Sequence, residues 1–196
     1  MKNHLTVAVT GGIGSGKSYL INVLKEKGFS TLSCDEIARD IFNLKKIKKE
    51  LKILFPTAVS GKIFMTIDRQ KIADIVFHDK EQLKKLNALT HPVIVEETIK
   101  RSKKMPSPVF VEVPLLFEGN YQYLFDKVVV VTRDKTQRIQ SVMDRSNLTE
   151  DAVKRRMDNQ VDYDTLDLSN YIVINNDGTK ECFDTVLYTL LQDLSK

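Results

Sequence analysis

The sequence predicts an α/β protein, a three-layer α/β/α sandwich around a five-stranded parallel sheet. Three observations carry that reading. Five short apolar runs alternate with segments of helical period. The first run, Leu5–Val9, is apolar apart from Thr6, as in strands covered on both faces. It leads straight into Gly11-Gly-Ile-Gly-Ser-Gly-Lys-Ser18, which matches G-x-x-x-x-G-K-[ST] in full, the loop that joins a buried strand to a helix.

Taken in order, Leu5–Val9 is the first strand. Ser18 to Lys27 follows as a helix that turns Leu20, Ile21 and Leu24 to the sheet and stops at Gly28. Phe29–Ser33 is the second strand. Cys34-Asp35 lies at its carboxyl end, the side on which open parallel sheets bind ligands. Glu36 to Phe55 is mostly helical in pattern and Pro56–Gly61 is a turn. Asp68–Phe77 is a helix carrying Ile72, Ile75 and Val76, and Glu81–Leu89 is another carrying Leu83, Leu86 and Leu89. His91-Pro92 should interrupt the run, with Val93–Lys100 resuming as helix. This excursion is too long for a plain crossover and reads as a helical substrate-binding insertion beside the sheet.

Val109–Val113, announced by Pro106 and Pro108 and closed by Pro114, is the third strand, and Lys127–Val131 the fourth. Lys135 to Asp144 is helical and Asn147 is a turn. Thr149 caps a helix running to Asn159, with Glu150 and Asp151 suited to its dipole. Tyr171–Ile174 is the fifth strand and 175–178 a turn. The last helix, Lys180 to Leu194, has Val186, Leu187, Leu190, Leu191 and Leu194 on its apolar side. Crossovers between parallel strands should be right-handed, while strand order stays open.

One domain over 1–196 is expected, with a core of 1–35, 104–134 and 161–196, a helical substrate-binding region over 36–103, and a lid over 135–160. Apolar residues make up 42% and charged residues 29%, a globular balance. No stretch approaches the ~20 apolar residues of a membrane span. A signal peptide would take the phosphate loop with it, and Cys34 and Cys182 have neither metal-like nor paired spacing, so the expected compartment is the cytoplasm. The formal charge of +4 suits a small anionic substrate and is too weak to argue for nucleic acid. The run Lys45–Lys52 is broken by Ile47 and Leu51, as in a helix with a solvated face. No membrane or obligatory protein partner is indicated.

The chemistry starts at the phosphate loop. Its glycines keep side chains out of a cradle of backbone N–H groups, and the next helix points its positive end at the phosphates. Lys17 should contact the transferred phosphate and Ser18 should ligate Mg²⁺. Asp35 could accept a proton from a substrate hydroxyl or hold Mg²⁺ through water; the alternative is a capping or surface residue. Arg39, one turn later on the same face, is either a clamp for an anionic substrate or half of a salt bridge. Glu112 interrupts an apolar strand and needs a partner, either water around Mg²⁺, a substrate group or a structural contact. Arg138, Arg145, Arg155 and Arg156 surround the turn at Asn147, a basic helical hairpin able to close over ATP. Arg145 is the arginine expected at the phosphates, against a solvated lid surface. His91 is divided between substrate contact and a capping or packing role.

Together these residues resemble the dephospho-coenzyme A kinase family, in the nucleotide-kinase branch of the P-loop NTPase fold. The resemblance spans nearly the whole chain. It rests on Thr10–Ser18, on Cys34-Asp35 with Ile37-Ala-Arg39, and on Asp68-Arg69 with Ile72 and Val76-Phe77. It continues through Leu86-Asn-Ala-Leu-Thr-His-Pro92, Val113-Pro-Leu-Leu-Phe-Glu118, Asp126–Val131, Arg145, Arg156-x-x-x-Gln160 and Asn176-Asp-Gly178. It implies transfer of the terminal phosphate of ATP to the 3′-hydroxyl of dephospho-coenzyme A, with Mg²⁺. It implies Asp35 as base, Lys17 and Arg145 at the transferring phosphoryl group, and ATP in contact with Gly11, Gly12, Ile13, Gly14, Ser15, Gly16, Lys17, Ser18, Tyr19, Arg145 and Asn176. Thr10, Asp35, Arg39, Arg69, His91, Glu112 and Leu115 would face the acceptor. Ser18 would hold the metal, with Asp35 or Glu112 reaching it through water. The chain departs from the family's usual residues at Ser33 (Asp), Tyr19 (Thr), Glu112 (Asp) and Ser141 (Arg). A kinase for another small hydroxyl substrate, such as a nucleoside or nucleotide, is the neighbouring reading. A GTPase switch fits less well, because Thr132-Arg-Asp-Lys135 does not match N-K-x-D.

Overall fold

The structure is a computed structural model. It describes residues 4–62, 64–178 and 180–194, with side chains over the same residues except 180–182, 186, 189, 193 and 194. The apolar roles expected for Val186 and Leu194 therefore lie outside the described residues.

The chain runs β1 (Thr6–Thr10), α1 (Lys17–Glu26), β2 (Ser30–Ser33), α2 (Cys34–Ile41), α3 (Lys45–Leu54), β3 (Val59–Ser60), β4 (Thr66–Ile67), α4 (Arg69–His78) and α5 (Lys80–Ser102). It continues through β5 (Val109–Glu112), a 3-10 turn (Gln122–Leu124), β6 (Lys127–Thr132), α6 (Lys135–Ser146), α7 (Glu150–Met157), β7 (Ile172–Asn175) and α8 (Lys180–Leu194). The architecture is the three-layer α/β/α sandwich, and its five-stranded sheet has the order β2-β5-β1-β6-β7. The pairings of β1 with β5, β1 with β6 and β6 with β7 are parallel. The chain divides into two compact units, Met1–Leu32 with Met105–Lys196, and Ser33–Lys104.

In the first unit β1 is central, and all five of its residues are buried. On one sheet face Val7, Val9, Phe110, Val129, Val131 and Ile174 pack with Leu20, Ile21 and Leu24 of α1 and Phe183, Leu187 and Leu190 of α8. On the other face Ala8, Val109, Val111, Val128 and Val130 are buried as well. Burial of both faces is why these strands are continuous in apolar residues. Asp134 and Thr149 cap α6 and α7 by accepting from Gln137 N and Ala152 N. Asn147, at φ 51°, ends α6 in the left-handed region.

In the second unit Ile47, Leu51, Phe55, Ala58, Val59 and Ile72 form the core. Two expectations are corrected here. The stretch Pro56–Gly61 is more than a turn, because β3 lies in it and pairs antiparallel with β4. And α5 is one helix of 23 residues that runs through His91-Pro92 without a break. Proline removes the bond to the Ala88 carbonyl and costs about 3 kcal/mol inside a helix. The helix persists because Leu86 and Leu89 before Pro92 and Val93 after it all pack on the same core, while Pro92 faces solvent. Arg101 of α5 ties α2 in place, with Nη1 donating to Asp40 Oδ2 at 2.7 Å and Nε to Glu97 Oε1 at 3.0 Å. Its hydrogen bond to Asp40, and then that to Glu97, raise its pKa, and Arg101 lowers that of Glu97. Among the described residues no helix is long and apolar enough to cross a membrane.

Candidate active site

The carboxyl ends of β1 and β5 meet the glycine-rich loop and the start of α1. Gly16 caps α1 from the left-handed region at φ 104°, and a Cβ there would strike the Asn176 amide. Both conditions exclude other residues. That amide donates to Ser15 O at 2.9 Å, and Asn176 N donates to Thr132 O at 2.9 Å, so the turn after β7 is fastened to the loop. Lys17 folds back over the loop, with Nζ donating to Gly11 O at 2.7 Å and Gly12 O at 3.0 Å. Ser18 Oγ donates to Glu112 Oε1 at 2.7 Å. The lone charge in an apolar strand has thus found its partner in the residue expected at the metal.

The Ser18–Glu112 pair fits Mg²⁺. That ion takes oxygen ligands, is usually held by one or two carboxylates, and completes its shell with water and substrate phosphates. No cluster of three or more acidic, histidine or cysteine side chains able to hold a metal occurs among the described residues.

Three side chains beyond α7 close on the same loop and on the arginine beside it. Gln160 Oε1 accepts from Ile13 N at 2.7 Å. The Tyr163 hydroxyl lies 3.2 Å from Thr10 Oγ1 at the end of β1. Asp164 Oδ2 accepts from Arg138 Nη2 at 3.3 Å. Burial, partly offset by the Thr10 hydrogen bond, pushes the Tyr163 phenol up to about 12. Glu118 Oε1 accepts from Val161 N at 2.9 Å and anchors this segment. Ser15, 1% exposed, has an Oγ with no partner among the described residues.

The first unit therefore gathers Thr10, Gly11, Gly12, Ile13, Gly14, Ser15, Gly16, Lys17, Ser18, Glu112 and Asn176 into one constellation. Tyr19 stands at its edge, its ring 5.1 Å from that of Phe183. Leu115 is exposed after β5, and Arg145 is exposed in the last turn of α6. Ser141 lies on the same helix, where its hydroxyl accepts from Arg133 Nη1 at 2.7 Å.

The second unit holds the other predicted residues. Asp35 is exposed in the first turn of α2, and Arg39 is exposed in its last turn. Arg69 Nη2 donates to Arg39 O at 2.8 Å, and its guanidinium sits 5.3 Å over the Phe42 ring. These contacts bring the end of α2 and the start of α4 together, with both arginines at the junction. His91 lies midway along α5, where burial lowers its pKa.

Tyr163 and Asp164 were invisible to sequence reasoning because they sit in a polar segment without periodicity. Arg138 left a signal, since it precedes Val142 by four residues and so shares the buried face of α6.

A family model described as CoaE, dephospho-CoA kinase, matches residues 5–181. Dephospho-CoA kinase of Corynebacterium glutamicum is 37% identical over 182 residues, covering 90% of each chain. The crystal structure of TT1252 from Thermus thermophilus superposes with a TM-score of 0.83 at 32% identity, covering 98% of this chain and 99% of that one. Dephospho-CoA kinase from Campylobacter jejuni superposes with a TM-score of 0.69 at 30% identity, covering 97% and 96%. With a family model that matches residues 5–181 and relatives more than 30% identical over nine-tenths of the chain, this chain belongs to the dephospho-CoA kinase family.

Proposed function

We infer that this chain transfers the terminal phosphate of ATP to the 3′-hydroxyl of dephospho-coenzyme A, giving coenzyme A and ADP. The observation that carries the reading is the family match over residues 5–181, and the contacts of Lys17 with Gly11 and of Ser18 with Glu112 support it. The reaction is a direct in-line transfer in which the protein positions the reactants and stabilises charge.

In this reading the loop from Gly11 to Ser18 binds the phosphates, and Lys17 leaves its carbonyl partners for the transferred group. Ser18 and Glu112 would hold Mg²⁺, which would supply neutralising charge to the phosphates. Asp35 takes the proton from the acceptor hydroxyl, and its exposure on α2 leaves it accessible for that role. Arg145, exposed near the end of α6 in the region expected as a lid, stabilises the phosphoryl group. Arg39, Arg69 and His91, in the helical region 36–103, hold the acceptor with Thr10 and Leu115. Asn176 sets the adenine side of the ATP site. The reaction belongs in the cytoplasm and uses a small-molecule acceptor.

The test is ADP release with ATP and Mg²⁺, with and without dephospho-coenzyme A, with the product's mass checked. Strong stimulation and a gain of one phosphate support the assignment. A folded, ATP-binding protein with no stimulation points to another acceptor. Asp35→Asn is expected to lower kcat by roughly 10²–10⁴-fold while ATP affinity stays unchanged; equal loss of both would make Asp35 a structural residue.

A further inference from the structure

Arg138 is 5% exposed, yet its charge is only loosely neutralised. Its one carboxylate partner among the described residues, Asp164, is half exposed and 3.3 Å from Nη2. Its Nε is buried with no partner among the described residues. The guanidinium lies against the phosphate loop. A Cβ on Gly12 would fall on Nη1 and come within 3.3 Å of Cζ, and a Cβ on Gly14 would strike the Arg138 carbonyl. Gly12 O is also an acceptor for Lys17 Nζ, at 3.0 Å. Two cations therefore flank one glycine.

A buried guanidinium with a weak partner is unfavourable on its own, and becomes favourable when a polyanion arrives beside it in a low-dielectric site. A helix that needed only packing here would carry an aliphatic residue, as it does one turn later at Val142. We propose that Arg138 is a further positioning residue of the phosphate site: its guanidinium braces Gly12 and Gly14 from behind and supplies fixed positive charge to the bound triphosphate. Asp164 tethers it and aims the fork. Lys17 is a point charge that can move to the transferred phosphate; Arg138 is a planar donor locked by packing, so it sets the loop's potential without leaving it.

This inference rests on the ATP-dependent reading above, and the experiment separates the two. Affinities of the full-length protein for ATP, ADP and AMP are measured for wild type, Arg138→Gln and Arg138→Lys, with unfolding midpoints for each and KM for both substrates. Arg138→Gln is expected to weaken ATP binding by roughly ten- to hundredfold, ADP less and AMP least. KM for ATP rises while KM for dephospho-coenzyme A stays at the wild-type value, and Arg138→Lys recovers most of the ATP affinity. An equal loss for all three nucleotides, or no loss, overturns the proposal and leaves a structural brace. Where Arg138→Gln fails to fold, Arg138→Met decides: a loss that grows with phosphate number supports the proposal, and a uniform loss or none overturns it. A wild-type protein that binds no ATP overturns the kinase reading itself.

Discussion

Ser18 and Glu112 are 94 positions apart and share a hydrogen bond of 2.7 Å. Each was visible in the sequence for its own reason, Ser18 from the loop pattern and Glu112 as a charge stranded among valines. The contact between them was not, because register between β1 and β5 decides it: Val9 pairs with Glu112, which brings the acidic residue level with the loop. The grip by Gln160 and Tyr163 was hidden for a different reason. It depends on the path of an irregular segment that no period describes. His91 carries a prediction of its own. Its folded pKa is below the ordinary histidine value of 6.5, so between the two values the unfolded chain binds the extra proton. Stability from this group is therefore complete above the ordinary value and is lost as pH falls through the lowered one. Urea midpoints should drop from about pH 7.5 to about pH 5, and His91→Gln should flatten that slope. Identical slopes for the two proteins would show that His91 does not carry the effect.

Among the elements, α5 shows where local reasoning loses to packing. A proline within a run of helical period is a reasonable place to stop, and the flanking residues are good helix formers on either side. The core contacts of Leu86, Leu89 and Val93 outweigh the missing hydrogen bond and keep one helix through the proline. Pro92→Ala should restore that bond and raise stability by about 1–3 kcal/mol, after allowance for the looser unfolded chain. A chemical unfolding curve measures it; no gain would mean that the helix has already adapted around the ring. The short β3–β4 pair was illegible because two-residue strands carry no alternation to read. The long strands and α1, α6, α7 and α8 were legible from their apolar periods, joined for α6 and α7 by the Asp134 and Thr149 caps, and the structure moves their ends by only a residue or two.

For the whole molecule, the two units differ in how their chain is drawn. Ser33–Lys104 is one continuous, mostly helical stretch, whereas the other unit joins residues up to Leu32 with residues from Met105 onward. Local contacts form faster than those that close a long loop. In pulse-labelled refolding, amides of α3, α4 and α5 should gain protection before those of β1 and β6. Simultaneous protection throughout would show a single cooperative unit instead. The sheet order carries the same logic to the ribosome. Strands β1 and β2 are not neighbours, because β5 lies between them. The nascent chain therefore makes its central strand first and that strand's partners much later, and Val7, Ala8 and Val9 must wait, unpaired, for residues 109–112 and 127–130. At about 5–20 residues per second that wait lasts several seconds. For this enzyme, vectorial synthesis delivers the glycine-rich loop early and its scaffold late, and the apolar first strand is the segment that a ribosome-bound chaperone would have to shield.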